Sequence, residues 1–183
     1  MTWGTLEAIA AMIAAVAAVV AIWLQNKSFK ANLTADLAMK LDDRFGSPEY
    51  SEIRTKAARA LQNHVDEEDA EDVFDFFELV GLFTRRKALD AEIVHSLFFH
   101  WINVYWTAGR DHIARKQRGA KLCWKDFGYL YLKVLEIEMK EDPSSRDISL
   151  SAEDLKRYLN DEIALMPLAA TAGNSQESAS CGE

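Results

Sequence analysis

Between Arg110 and Lys125 the chain carries six basic side chains, Arg110, Arg115, Lys116, Arg118, Lys121 and Lys125, against one acid, Asp111. A concentration of fixed positive charge on a polypeptide of net charge −8 is a candidate anion site, for a lipid headgroup, a nucleotide or a nucleic acid. Trp124 lies in the same run and offers a ring for stacking on a base. The plainer alternatives are a solvated basic helix end, or pairing with acids of the same domain or of a neighbouring subunit. The segment from Asp66 to Glu78 is the obvious source of such acids, with eight carboxylates and no basic residue. Those carboxylates also suit the first turns of a helix whose far end is Arg85-Arg86-Lys87, because they complement the helix dipole at both ends.

Two further constellations have chemical potential. Glu92-Ile93-Val94-His95 has the Glu-x-x-His spacing that puts two metal ligands on one helix face. A di-iron bundle needs a second such motif, which the sequence lacks. Glu78 alone does not complete the count, so no metal site and no cofactor are expected. Cys123 lies between Lys121 and Lys125, charges that would lower a thiol pKa, yet it also fits the apolar stripe of a helix, where it would only pack. Cys123 and Cys181 are the only cysteines, and their spacing supports neither a zinc site nor a disulfide framework. No nucleophile elbow, phosphate loop or dinucleotide-binding turn occurs. The chain is therefore expected not to be an enzyme and to act by binding.

The elements that would hold these residues begin with an apolar run. Residues 8–24 (AIAAMIAAVAAVVAIWL) contain no charged or polar side chain, and eight of the seventeen are Ala. As a helix the run rises about 26 Å, close to the ~30 Å hydrocarbon core. Trp3 and Trp23 are spaced to lie at the two interfaces. A cleaved signal would carry a basic leading region, but Glu7 is the only charge before the run. A buried soluble helix would need protein on every side. The expectation is an uncleaved single-span anchor over 1–26. Lys27, Lys30 and Lys40 on the C-terminal side place the bulk of the chain in the cytoplasm and the N-terminus outside. Ala10, Ala14 and Ala18 form a small-residue ladder that favours helix pairing in lipid, hence a homo-oligomer.

Beyond the anchor every segment reads as helix. Phe29, Leu33, Leu37, Leu41 and Phe45 recur every four residues and predict a stalk helix over 27–46, stopped by Gly46. Ser47-Pro48 reads as an N-cap with proline at the first helical position. Asp66 and Asp90 read as the next caps, Leu89 with Val94 as a hydrophobic staple, Gly119 as a breaker, and a helix over 120–140 follows. Asp142 to Ser149 is a polar linker with Pro143. Ser151 and Asp154 predict a capping box for a last helix. The fold class is all-α: a transmembrane helix, the stalk, a cytoplasmic bundle of about five helices over 47–166, and a disordered tail over 167–183. Excluding Glu7, the region beyond the anchor has a net charge of −7, which disfavours general nucleic-acid binding.

Phe76-Phe77-Glu78 with Gly81, Asp90 opening a helix, Tyr105-Trp106, Arg118, and Trp124 with Phe127 and Leu130 together resemble an uncharacterised bacterial family of small membrane-anchored helical proteins, a domain of unknown function. The resemblance implies a helical fold and a bacterial inner-membrane location, and brings no chemistry with it. The function expected is a membrane-tethered interaction or sensory module with an unidentified protein partner. The alternatives are anion or nucleic-acid binding through 110–125, or a membrane-perturbing effector.

Overall fold

In a computed structural model, residues 18, 21–23, 25, 32–141 and 150–164 are described. Every described element is helical: α1 over 32–45, α2 Pro48–Asn63, a 3-10 turn Glu67–Ala70, α3 Glu71–Arg85, α4 Ala91–Gly119, α5 Lys125–Glu141 and α6 Ala152–Ala164. No helix among the described residues is long and apolar enough to cross a membrane. Most of the apolar run lies outside the described residues, as do Trp3, Glu7, Ala10, Ala14, Lys27, Lys30, the linker 142–149 and the tail with Cys181. Ala18 and Trp23 are helical and exposed.

The four-residue repeat of α1 leads into the bundle. Leu33 is 54% exposed, Leu37 is half-buried, and Leu41 and Phe45 are buried in the core. The Phe45 ring lies within 5.9 Å, centroid to centroid, of Phe76, Phe77, Phe98 and Trp101. Gly46 ends α1, its amide bonding back to the Asp42 carbonyl. Ser47 caps α2 by accepting the Tyr50 amide at 3.2 Å, with Pro48 in the first turn. Burying each such aromatic is worth about 2–3 kcal/mol, so this five-ring cluster is a large share of what holds α1, α3 and α4 together.

Asp66 is not the cap of α3. It adopts a left-handed conformation (φ 51°) with no side-chain capping bond, and a 3-10 turn intervenes before α3 starts at Glu71. The sequence signal failed because an aspartate also tolerates left-handed backbone. α3 is apolar around most of its girth, with Val73, Phe74, Phe76, Phe77 and Val80 buried against its neighbours. Asp90 does cap α4, accepting the Glu92 amide at 2.8 Å, and Leu89 and Val94 are both buried.

The helix expected from residue 120 begins at Lys125, after a turn that places Trp124 at φ 49°. Trp124 has no side chain to cap the helix it precedes. The cap comes from another helix: a Glu78 oxygen on α3 accepts the Phe127 amide at 2.7 Å. Two glycines let helices touch. A Cβ on Gly81 would meet the Asp126 carbonyl oxygen at 2.1 Å, and one on Gly109 would meet the Phe74 ring at 2.3 Å. α6 completes the bundle. The Ser151 hydroxyl accepts the Asp154 amide at 3.1 Å, and Leu159 packs on Ala58 and Val104.

Candidate functional site

The six basic residues of 110–125 divide between two faces. Arg115 and Lys116, near the end of α4, are taken by acids of the 3-10 turn and the first residue of α3. Glu67 bonds Arg115. Glu71 lies 2.8 Å from the Lys116 ammonium, and Glu68 lies 3.5 Å from it. His112, buried at the centre, sets Nδ1 3.2 Å from Glu67 and Nε2 2.9 Å from Glu71. Burial raises the Glu67 pKa, but the His64 hydrogen bond, the Arg115 charge and His112 outweigh it and leave the net shift downward. Glu71 behaves likewise: burial raises its pKa, and Lys116 with His112 more than reverse that. The acidic segment therefore does more than complement a dipole, because it docks α4 on α3 and uses up two of the six cations.

Arg110, Lys121 and Lys125 lie elsewhere. They line a groove of about 670 Å³ between α4 and α5, together with Trp106, Trp124, Tyr129 and Tyr131. None of these three cations has an acidic partner among the described residues, and no carboxylate lines the groove. Gly128 lets α5 lie against Trp106, whose ring edge would be 3.0 Å from a Cβ there. Trp106 in turn stacks on Tyr131 at 5.2 Å and 20°. The Gln117 amide donates to the Cys123 carbonyl at 2.8 Å and ties the rim to α4.

Trp124 forms wall, not a free stacking face. It is 4% exposed, its indole N–H donates to Asp75 at 2.8 Å, and its ring packs edge-on against Phe74 at 5.2 Å. Tyr129, 37% exposed, is the open ring. Arg118 is exposed and lines neither feature. Groove residues Trp106, Tyr129 and Tyr131 were not singled out as site residues in sequence, although Trp106, at i−4 to Arg110 on the same helix face, carried a signal.

Cys123 sits in the turn before α5, not on a helix stripe. Burial, then the charges of Glu71, Asp75 and Glu78, push its thiol pKa up, so the flanking lysines do not activate it. His95 does not work with Glu78. Its Nε2 lies 2.8 Å from a Glu138 oxygen, and its Nδ1 is 3.9 Å from Glu141. His100 is half-buried beneath α6, edge-on to Tyr158 at 4.3 Å, and burial lowers its pKa despite the nearby Glu162 and Asp161.

Glu78, Gly81 and Phe127, three of the residues that carry the family resemblance, meet at the seam between α3 and α5. A family model matches residues 8–134. The chain belongs to the DUF4760 family, a domain of unknown function. The DUF4760 match covers α1 to α4 and most of α5, and stops short of α6. No curated protein and no solved structure matches the chain.

Proposed function

We propose that this DUF4760 protein is a membrane-tethered binding module, held at a bilayer by residues 8–24, whose α4–α5 groove takes a small phosphate-bearing anion. The observation that carries this reading is the groove itself. Arg110, Lys121 and Lys125 surround an aromatic-lined concavity and have no acidic partner among the described residues, in a chain of net charge −8. A groove of about 670 Å³ falls in the usual range for small ligands. Elsewhere the acidic surface repels anions, so the groove is a local electrostatic exception that focuses them. An extended nucleic acid would meet that repulsion beyond the groove, which favours a compact ligand. Phosphate on a nucleotide and phosphate on a lipid headgroup share this chemistry, and the apolar run makes either source physically accessible.

Calorimetric titration with ATP, and flotation with phosphatidylglycerol vesicles using protein lacking residues 1–26, separate the two sources. Saturable binding in either arm is expected. Arg110→Glu with Lys121→Glu and Lys125→Glu should weaken it at least tenfold, and Arg118→Glu should not. Absence of binding in both arms, or binding indifferent to the triple reversal, overturns the reading. Fractionation of the full chain tests the tether: full-length protein belongs in the membrane pellet, and recovery of it in the soluble fraction defeats that half of the proposal.

A further inference from the structure

α4 and α5 run antiparallel, since Trp106 in mid-α4 meets Phe127 and Tyr131, and His95 near the start of α4 meets Glu138 near the end of α5. At that second end three metal-ligating side chains come together. One donor atom each from His95, Glu138 and Glu141 lies within 4.8 Å of the others. His95 is 8% exposed, held against Phe99 at 4.9 Å, so its imidazole is positioned by packing. Glu138 and Glu141 are one helical turn apart on α5, the spacing that sets two side chains on one face. The pattern Glu-x-x-Glu on α5 thus opposes Glu92-x-x-His95 on α4.

The charge balance around these groups is unusual. No Lys or Arg pairs with Glu138 or Glu141 among the described residues. Lys140, between them in sequence, is engaged with Glu136. A buried imidazole and two carboxylates, with no Lys or Arg partner among the described residues, are a donor set that a divalent cation satisfies.

We propose that His95, Glu138 and Glu141 form a binding site for a divalent ion of the zinc class, linking α4 to α5. Imidazole nitrogen with carboxylate oxygen suits Zn2+ and its first-row neighbours, whereas Mg2+ and Ca2+ prefer oxygen alone. Metal–ligand bonds of about 2.1 Å put donor atoms about 3–3.5 Å apart. Closing in from 4.8 Å therefore requires only a side-chain adjustment, and the Glu141 side chain, 63% exposed, is free to make it. Three protein ligands leave a fourth position open to water. The site is at the opposite end of the α4–α5 pair from the Lys121 end of the groove and does not depend on the anion reading.

The test is calorimetric titration of chelator-treated full chain with Zn2+ alone, and with Mg2+ in parallel. One Zn2+ per chain is expected at micromolar affinity or better, with Mg2+ at least tenfold weaker and a Zn2+-dependent rise in Tm. Glu138→Gln with Glu141→Gln should lower Zn2+ affinity at least tenfold and abolish the rise in Tm, with an unchanged circular dichroism spectrum. Should His95→Ala fail to fold, the carboxamide pair still decides the matter. No saturable Zn2+ binding, undiminished binding in the carboxamide pair, or preference for Mg2+ overturns the proposal. The groove triple reversal should leave Zn2+ binding intact, so the two proposals fail separately.

Discussion

A methyl group at position 81 would sit 2.1 Å from the Asp126 carbonyl oxygen and 3.2 Å from the Leu130 Cβ. Neither neighbour is a flexible tip, so α3 and α5 would have to separate. Separation also pulls Glu78 from the Phe127 amide and strains the Arg85 guanidinium, which holds Asp126 through bonds of 2.7 and 3.0 Å. Gly81→Ala should therefore cost about 3 kcal/mol or more, a Tm fall of roughly 10 °C at this chain length. Gly119→Ala is the contrast. Nothing lies within 4 Å of a Cβ there, so the change should be neutral or stabilising by about 0.5 kcal/mol. Equal thermal melts for the two variants would remove close approach as the reason for glycine at 81. Sequence marked Gly81 only as part of a family pattern, and Glu78 as one of an acidic run and a candidate metal ligand. Their physical roles depend on how α3 meets α5, which no local spacing encodes.

At the scale of elements, α6 packs through Leu159 and carries one buried ion pair to α2. Arg54 on α2 donates to both oxygens of Glu162, at 2.7 and 2.6 Å, and each residue is at least 94% buried. Tyr105 adds a hydroxyl contact at 3.3 Å, and the Thr55 hydroxyl donates to the Glu162 carbonyl at 3.1 Å. Removing one partner leaves an uncompensated buried charge. Arg54→Met should cost about 3–5 kcal/mol by chemical denaturation, and adding Glu162→Leu should recover much of that loss. A double variant as unstable as the single one would show that the charge was not the problem. The element order was largely readable: the caps at Ser47 and Asp90, the stops at Gly46 and Gly119, and the apolar face of α3 all follow from local rules. The Arg54–Glu162 pair was not, because its members are 108 residues apart. The groove was half-readable for a similar reason. Arg110, Lys121 and Lys125 stood out as charge, but only the fold shows that Arg115 and Lys116 are already neutralised by Glu67, Glu68 and Glu71.

For the molecule as a whole, stability should respond to acidification in two stages. His100 has a folded pKa below its usual 6.5, chiefly through burial. Its contribution is complete above about pH 6.5 and is lost as pH drops through the lower folded value. Glu67 and Glu71 have folded values below 4.5, so theirs is complete above pH 4.5 and is withdrawn below it. Glu78 works in the opposite direction. Burial raises its pKa, only partly offset by the Phe127 amide, and protonation relieves it. Between pH 7 and 4.5 the loss at His100 and the relief at Glu78 oppose each other, so the steep fall in Tm should come below pH 4.5, where the Glu67 and Glu71 contributions are withdrawn. Glu67→Gln with Glu71→Gln should lower Tm at pH 7 by roughly 5–10 °C, from the charged hydrogen bonds lost, and flatten the acid limb. An acid limb as steep as the parent's would place the pH sensitivity elsewhere. A last consequence comes from Arg54, which also donates to the Phe45 carbonyl at 3.1 Å and lies over the Phe45 and Trp101 rings. The closing turn of α1 and the whole of α6 are thus keyed to a single guanidinium. A substitution that displaces the end of α1 would therefore disturb the same guanidinium that seats α6.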